Sequence, residues 1–233
     1  MNDHDELKRQ VVAANVELAA RGLVHGTFGN ASAVDREAGV VAIKPSGIAY
    51  ADLGAEGVAL VRLDTGEQLD GLRPSSDTPT HLELYRAFAE IGGVAHTHST
   101  WATSWAQARR AIPCFGTTHA DYFHGPVPCT RALADHECGN DYERLTGAAI
   151  AEAFAELDPL ETPAVLVASH GAFAWGASAA EAVEHAAALE EVARLAFNTV
   201  VLDGSAEPVA DALLHRHFER KHGPQAYYGQ GVP

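Results

Sequence analysis

His96 and His98 stand one residue apart in GGVAHTHST, at the end of a short apolar run. On a strand, alternate side chains project from the same face, so two imidazoles at this spacing can grip one small object, and a metal ion suits them. The same pair also fits an ordinary polar strand edge, so further ligands are needed. His170, in ASHG at the end of another apolar run, is the natural third imidazole, although alone it reads equally as a turn or core histidine. Asp77, in PSSDTPTH, offers a carboxylate that either ligates or caps the following helix. Three histidines with one carboxylate suit zinc, whereas an all-oxygen set would favour magnesium or calcium.

Three stretches of small residues accompany these candidates: FGN at 28–30, KPSG at 44–47 and PSS at 74–76. Each alone is a plausible turn. Together they offer backbone N–H groups, serine hydroxyls, the Asn30 amide and the Lys44 ammonium, the donor set that a phosphate monoester requires. Lys44 is one of only three lysines and is read here as an exposed side chain, so that its loss would cost folding little.

Such a site needs a scaffold. Leu7, Val11, Ala14 and Leu18 recur at helical spacing over residues 6–21, and Gly22 follows as a stop. Hairpins are predicted around 36–39 and around Thr65 and Gly66. Thr78 and Pro79 read as N-cap and first residue of a helix running to about Ile91, and a strand leads from there into HTH. Ser99 caps a helix through Ala108; PAVLVASHG and AFAWG are buried-type strands; Ser178 and Glu181 form a capping box opening a helix to about Val200; Pro208 starts a last helix that stops at Gly223. Interleaved strands and helices with hairpins predict a three-layer α/β/α domain around a mixed, mostly antiparallel sheet.

The chain has 233 residues without a compositional break, which fits one domain over residues 1–233. No apolar run approaches the roughly 18 residues of a membrane span, and the charged opening MNDHDELKRQ lacks a secretory h-region, so a cytoplasmic protein without membrane partners is expected. Cys114, Cys129 and Cys138 form an odd set without CxxC spacing and suggest neither a disulfide framework nor a cysteine zinc site. A formal charge of −15 argues against nucleic-acid binding. It also means that an anionic substrate must meet a local cluster of donors, which the three small-residue stretches supply.

TFGNASAVDR, VVAIKPSG, PSSDTPTH, HTHS, GTTHADYF, SHGAFAWG, ALEEVA and KHGPQAYYGQ resemble, in one order from about residue 6 to Gln230, the L-ribulose-5-phosphate 4-epimerase family of the class II aldolase and adducin superfamily. The resemblance implies a zinc enzyme of pentose catabolism, a homotetramer of cyclic symmetry, that interconverts L-ribulose 5-phosphate and D-xylulose 5-phosphate. It implies one zinc per subunit at Asp77, His96, His98 and His170. Phosphate contacts are implied at Gly29, Asn30, Lys44, Ser46, Gly47, Ser75 and Ser76, and an acid–base pair at Asp121 and Tyr228. Taken without the resemblance, Asp121 reads as a loop carboxylate and Tyr228 as a packed aromatic. Two alternatives stand beside the epimerase: a class II aldolase acting on a ketose 1-phosphate, which would carry Glu where Asp77 stands, and a non-enzymatic adducin-like interaction domain. Phe28 departs from the family, where Trp is frequent, and Gly-Val-Pro extends past the usual end.

Overall fold

A computed structural model describes residues 4–224, 226 and 227. In chain order the main elements are α1 (Asp5–Ala20), β1 (Asn30–Asp35), β2 (Val40–Ile43), β3 (Ala59–Arg62), β4 (Gln68–Asp70), α2 (Thr78–Ala87), β5 (Gly93–Thr97), α3 (Thr100–Ala108), α4 (Thr117–Ala120), α5 (Tyr142–Ala153), β6 (Ala164–Leu166), β7 (Ala172–Gly176), α6 (Ala179–Leu202) and α7 (Asp211–His222). The strands form a seven-stranded sheet in the order β4-β3-β2-β1-β5-β7-β6. Every pairing between them is antiparallel. A parallel bridge joins Cys129 to Leu166 outside that ladder.

Side-chain alternation sorts the sheet into two faces. Ala31, Ala33, Ala42, Ala95, Ala172 and Ala174 face one way and pack against α1, α3 and α6. Val41, Val61, Val94, Val165, Phe173 and Trp175 face the other way and pack against α2 and α5. The small side chains on the first face pack against the 24-residue α6, while the large ones on the second pack beneath two shorter helices. The predicted three-layer α/β/α architecture is the observed one.

Both predicted hairpins form, β1 with β2 and β3 with β4. Ser178 accepts from the Glu181 amide at 3.2 Å, which is half of the expected box; the Glu181 carboxylate accepts from the amide of Ala177, one residue before the cap, instead of from that of Ser178. Other boundaries shift. The residue before α2 is Asp77, not Thr78, and its side chain makes no capping bond; the Thr78 hydroxyl instead donates to the Ser75 carbonyl at 2.6 Å. That helix stops at Ala87, before Ile91. Ser99 precedes α3 without capping it, because the Glu190 carboxylate of α6 accepts from the Trp101 and Ala102 amides, each at 2.9 Å. The last helix begins at Asp211, three residues after Pro208.

Candidate functional site

β5 lies between β1 and β7, and its register sets Asn30 opposite His96 on one side and Phe173 opposite His96 on the other. His96 therefore shares the α2-facing side of the sheet with Val94, and its ring stacks on Phe173 at 4.2 Å between centroids. His98 follows one pleat further on, just past the strand, with its ring 4.8 Å from that of His96. His170 is not at a strand end. It lies in the turn between β6 and β7, and that turn returns its ring to within 4.9 Å of His96 and 5.0 Å of His98.

The three imidazoles each offer a ligand atom within 4.8 Å of the others, forming one cluster able to hold a metal ion. The His96 Nδ1–H donates to the Ala172 carbonyl at 2.9 Å, which leaves its Nε2 as an acceptor, in hydrogen-bond contact with His98 Nε2 at 3.0 Å. Burial drives the pKa values of His96, His98 and His170 below the ordinary imidazole range, so all three are neutral near pH 7. Neutral imidazoles that converge on one point are the form a metal requires, and the donor type suits zinc. Asp77 lies beside the cluster and is not one of its three members. Burial opposes ionisation of its carboxyl, but His96, His81 and the Asn30 amide together hold it below the usual carboxylate range. The Asn30 amide donates to that carboxylate at 2.7 Å and to the Ser75 hydroxyl at 3.1 Å.

Gly29, Asn30, Lys44, Ser46, Gly47, Ser75, Ser76 and Asp77 line the same cavity, of about 410 Å³, as His96, His98 and His170. Gly29 has φ +82°, and a Cβ there would sit 2.8 Å from the His96 carbonyl oxygen, so the turn cannot approach the cluster with any larger residue. The KPSG and PSS stretches are zipped together: the Ser46 amide donates to the Arg73 carbonyl and the Ser75 amide to the Lys44 carbonyl. Those two N–H groups are thus taken up within the fold, whereas the Gly47 and Ser76 amides have no partner among the described residues. Lys44 departs from expectation more sharply. It is 2% exposed, and its ammonium meets the Pro45 carbonyl only at 3.5 Å and the face of Tyr50 at 4.8 Å. Burial lowers its pKa.

Tyr142 and Glu143 also line the cavity and were not foreseen. Both open α5, where the Tyr142 hydroxyl lies 3.2 Å from His170 Nδ1. The helix does show periodicity in Thr146, Ala149, Ile150 and Ala153, but its buried face is mostly small or polar, which weakens the apolar signal. Asp121 is not among the residues that line the cavity. It ends α4, where Arg220 of α7 donates to its carboxylate at 2.6 and 3.0 Å and His217 donates at 3.0 Å. Burial opposes its ionisation, and those two partners outweigh burial and lower its pKa. Tyr228 lies outside the described residues.

The chain belongs to a known class: residues 9–197 match the class II aldolase and adducin N-terminal domain family. Within that class its sequence is 52% identical over 225 residues to the L-ribulose-5-phosphate 4-epimerase UlaF of Salmonella paratyphi C (strain RKS4594), covering 97% of this chain and 99% of the relative. The enzyme of the same name from Salmonella typhi is also 52% identical over 226 residues, with the same coverage. The resemblance drawn from the motifs is borne out. Among solved structures, an L-fuculose 1-phosphate aldolase superposes with a TM-score of 0.77 at 24% identity, covering 92% of this chain and 95% of that one, and so shares the fold. The L-fuculose-1-phosphate aldolase of Thermus Thermophilus superposes with a TM-score of 0.68 at 25% identity, over 86% and 98% of the two chains. Among the described residues, no helix is long and apolar enough to cross a membrane.

Proposed function

We propose that this chain, acting as one domain over residues 1–233, is a zinc-dependent L-ribulose-5-phosphate 4-epimerase producing D-xylulose 5-phosphate. The observation that carries the reading is a single cavity lined both by a three-imidazole cluster and by Lys44, Gly47 and the Ser75–Ser76 turn. A ketose phosphate needs both sets of groups at once, and the 52% identity to enzymes of that name supports the epimerase within the family.

The C4 proton of a 2-ketose is not α to the carbonyl, so its removal would leave an unstabilised carbanion. Breaking the C3–C4 bond avoids this. A base takes the C4 hydroxyl proton, the bond's electron pair passes into an enediolate of dihydroxyacetone, and glycolaldehyde phosphate forms beside it in the site. Zinc held by His96, His98 and His170, with Asp77 beside them, would supply the positive charge that stabilises the anion. The aldehyde then presents its other face, C3–C4 forms again, and an acid returns the proton to the new C4 alkoxide. Lys44 and the small-residue turns hold the phosphate throughout, which keeps the fragment from escaping.

The proton-transfer groups are assigned to Asp121 and Tyr228. Because Asp121 stands outside its own chain's cavity, the assignment carries with it a shared site: a cyclic homotetramer in which α4 and the C-terminal tail of one subunit serve a neighbour. The decisive assay incubates the purified protein with L-ribulose 5-phosphate and follows D-xylulose 5-phosphate through a coupled enzyme, with a separate test for free glycolaldehyde phosphate. Conversion without release supports the epimerase. Release of the aldehyde as the main product would make the chain an aldolase, and neither product would leave a binding domain.

A further inference from the structure

Tyr50 is not among the residues that line the cavity, yet it contacts three that are: Phe28, Gly29 and Lys44. It is 9% exposed and opens a single turn of 3-10 helix, Tyr50–Asp52, shortly after KPSG. Its hydroxyl lies 2.8 Å from both the Phe28 and the Gly29 carbonyls. Its ring face lies 4.8 Å from the Lys44 ammonium. Phe28, whose carbonyl it holds, stacks its own ring over His98 at 6.2 Å.

We infer that Tyr50 is a positioning residue for the phosphate half of the site, holding the Lys44 ammonium and the Phe28–Gly29 turn in the geometry that receives a phosphoryl group. The inference rests on the phosphate role proposed above for Lys44. The chemistry of the contact singles out an aromatic hydroxyl. A carboxylate beneath Lys44 would neutralise the ammonium and compete with phosphate for its N–H groups. A ring face attracts the same cation through its quadrupole and takes up none of its three donors. Among the described residues those donors meet only the distant Pro45 carbonyl, so they remain available. The phenol has one proton and two carbonyls in reach, and burial keeps that proton in place by raising the phenol pKa. A Phe or Leu of similar size would fill the space without binding the turn.

The test uses zinc-loaded holoenzyme with inorganic phosphate as the probe, its Kd read by calorimetry, together with KM and kcat for L-ribulose 5-phosphate. Tyr50→Phe keeps the ring and removes the hydroxyl; it should raise both the phosphate Kd and KM roughly three- to tenfold, the effect of one net hydrogen bond, with zinc content and kcat little changed. Tyr50→Leu also removes the ring and should weaken phosphate binding by a further factor of roughly ten. That further factor should vanish in a Lys44→Met background, because the ring acts through the ammonium. A purely structural tyrosine would lower Tm and leave phosphate affinity as in wild type, which overturns the inference; if Tyr50→Leu does not fold, the Tyr50→Phe value alone decides. Lys44→Met separates the two levels. If it weakens phosphate binding and Tyr50→Phe does not, the Tyr50 inference fails and the phosphate role stands. If Lys44→Met itself leaves binding intact, both fail.

Discussion

Replacing Lys44 with Met separates binding from folding more cleanly than any other single change in the site. The side chain is 2% exposed, and its charge has no carboxylate partner among the described residues; it meets one carbonyl at 3.5 Å and one ring face at 4.8 Å. Removing the ammonium loses a cation–π contact of about 1–2 kcal/mol, but it also removes the cost of burying a weakly paired charge, which opposes that loss. Met keeps most of the stem's volume, so repacking adds little, and folding stability should change by about 1 kcal/mol or less. Binding behaves differently. A charge-assisted hydrogen bond to a phosphate oxygen is worth roughly 1.5–3 kcal/mol, which corresponds to a rise of about tenfold to a hundredfold in KM. Because the phosphate is held alike in ground and transition states, most of the loss should fall on KM rather than kcat.

Steady-state kinetics beside a thermal melt reads both halves of that expectation. The pH profile adds a third readout. Burial lowers the Lys44 pKa, so the wild-type KM should climb as pH rises and the ammonium loses its proton, and Lys44→Met should lack that limb. A well-folded Lys44→Met enzyme with wild-type KM would refute the phosphate assignment. A variant that unfolds would refute the reasoning about the buried charge.

Three further outcomes are expected. Chelation should abolish activity and added zinc should restore it, while His98→Asn and His170→Ala should fail to retain metal by atomic absorption; full turnover in metal-free protein would end the zinc proposal. Subunits carrying His170→Ala mixed equally with subunits carrying Tyr228→Phe should regain activity toward about a quarter of wild type, since each interface of a ring draws its two halves independently; continued inactivity in demonstrated mixed oligomers would place every site within one chain. His81 and His119 are buried with pKa values lowered from 6.5 to about 4, so each favours folding fully above pH 6.5 and loses that contribution as pH falls toward 4, roughly 3 kcal/mol apiece. Urea denaturation at pH 7 and pH 4.5 should show the drop, and His119→Gln should reduce it.

The parts of this site written in local sequence were legible. HTH specifies two rings on one side through strand periodicity alone, and both hairpins follow from turn residues between alternating runs. What escaped depends on distant partners. Lys44 looked like a surface lysine because nothing near it in sequence reveals that Tyr50 and the 73–75 segment close over it. The Ser46 and Ser75 amides looked available because their acceptors, Arg73 and Lys44, lie on each other's loops. Ser99 carries the residue type of a cap, yet Glu190, some ninety positions away, takes the amides. Asp121 was read into the site by resemblance, and only its contacts with Arg220 and His217 reveal that it faces α7 in its own chain.

The two ends of the cavity are built by different means, and the difference suits the proposed reaction. The imidazole end rests on a ladder: Asn30, His96 and Phe173 are direct partners across β1, β5 and β7, so a one-residue slip of β5 would turn His96 to the opposite face. The residues proposed to hold phosphate rest on turns joined by a few hydrogen bonds, with Asn30 as the link, since its backbone belongs to the ladder while its amide donates to Ser75 and Asp77. In a cleave-and-rejoin epimerisation, the three-carbon enediolate must keep its position while the aldehyde of the two-carbon fragment presents first one face and then the other. A rigid sheet is the right support for the fragment that stays. An anchor that grips only the terminal phosphate leaves rotation about C4–C5 open, so the fragment that turns never has to leave.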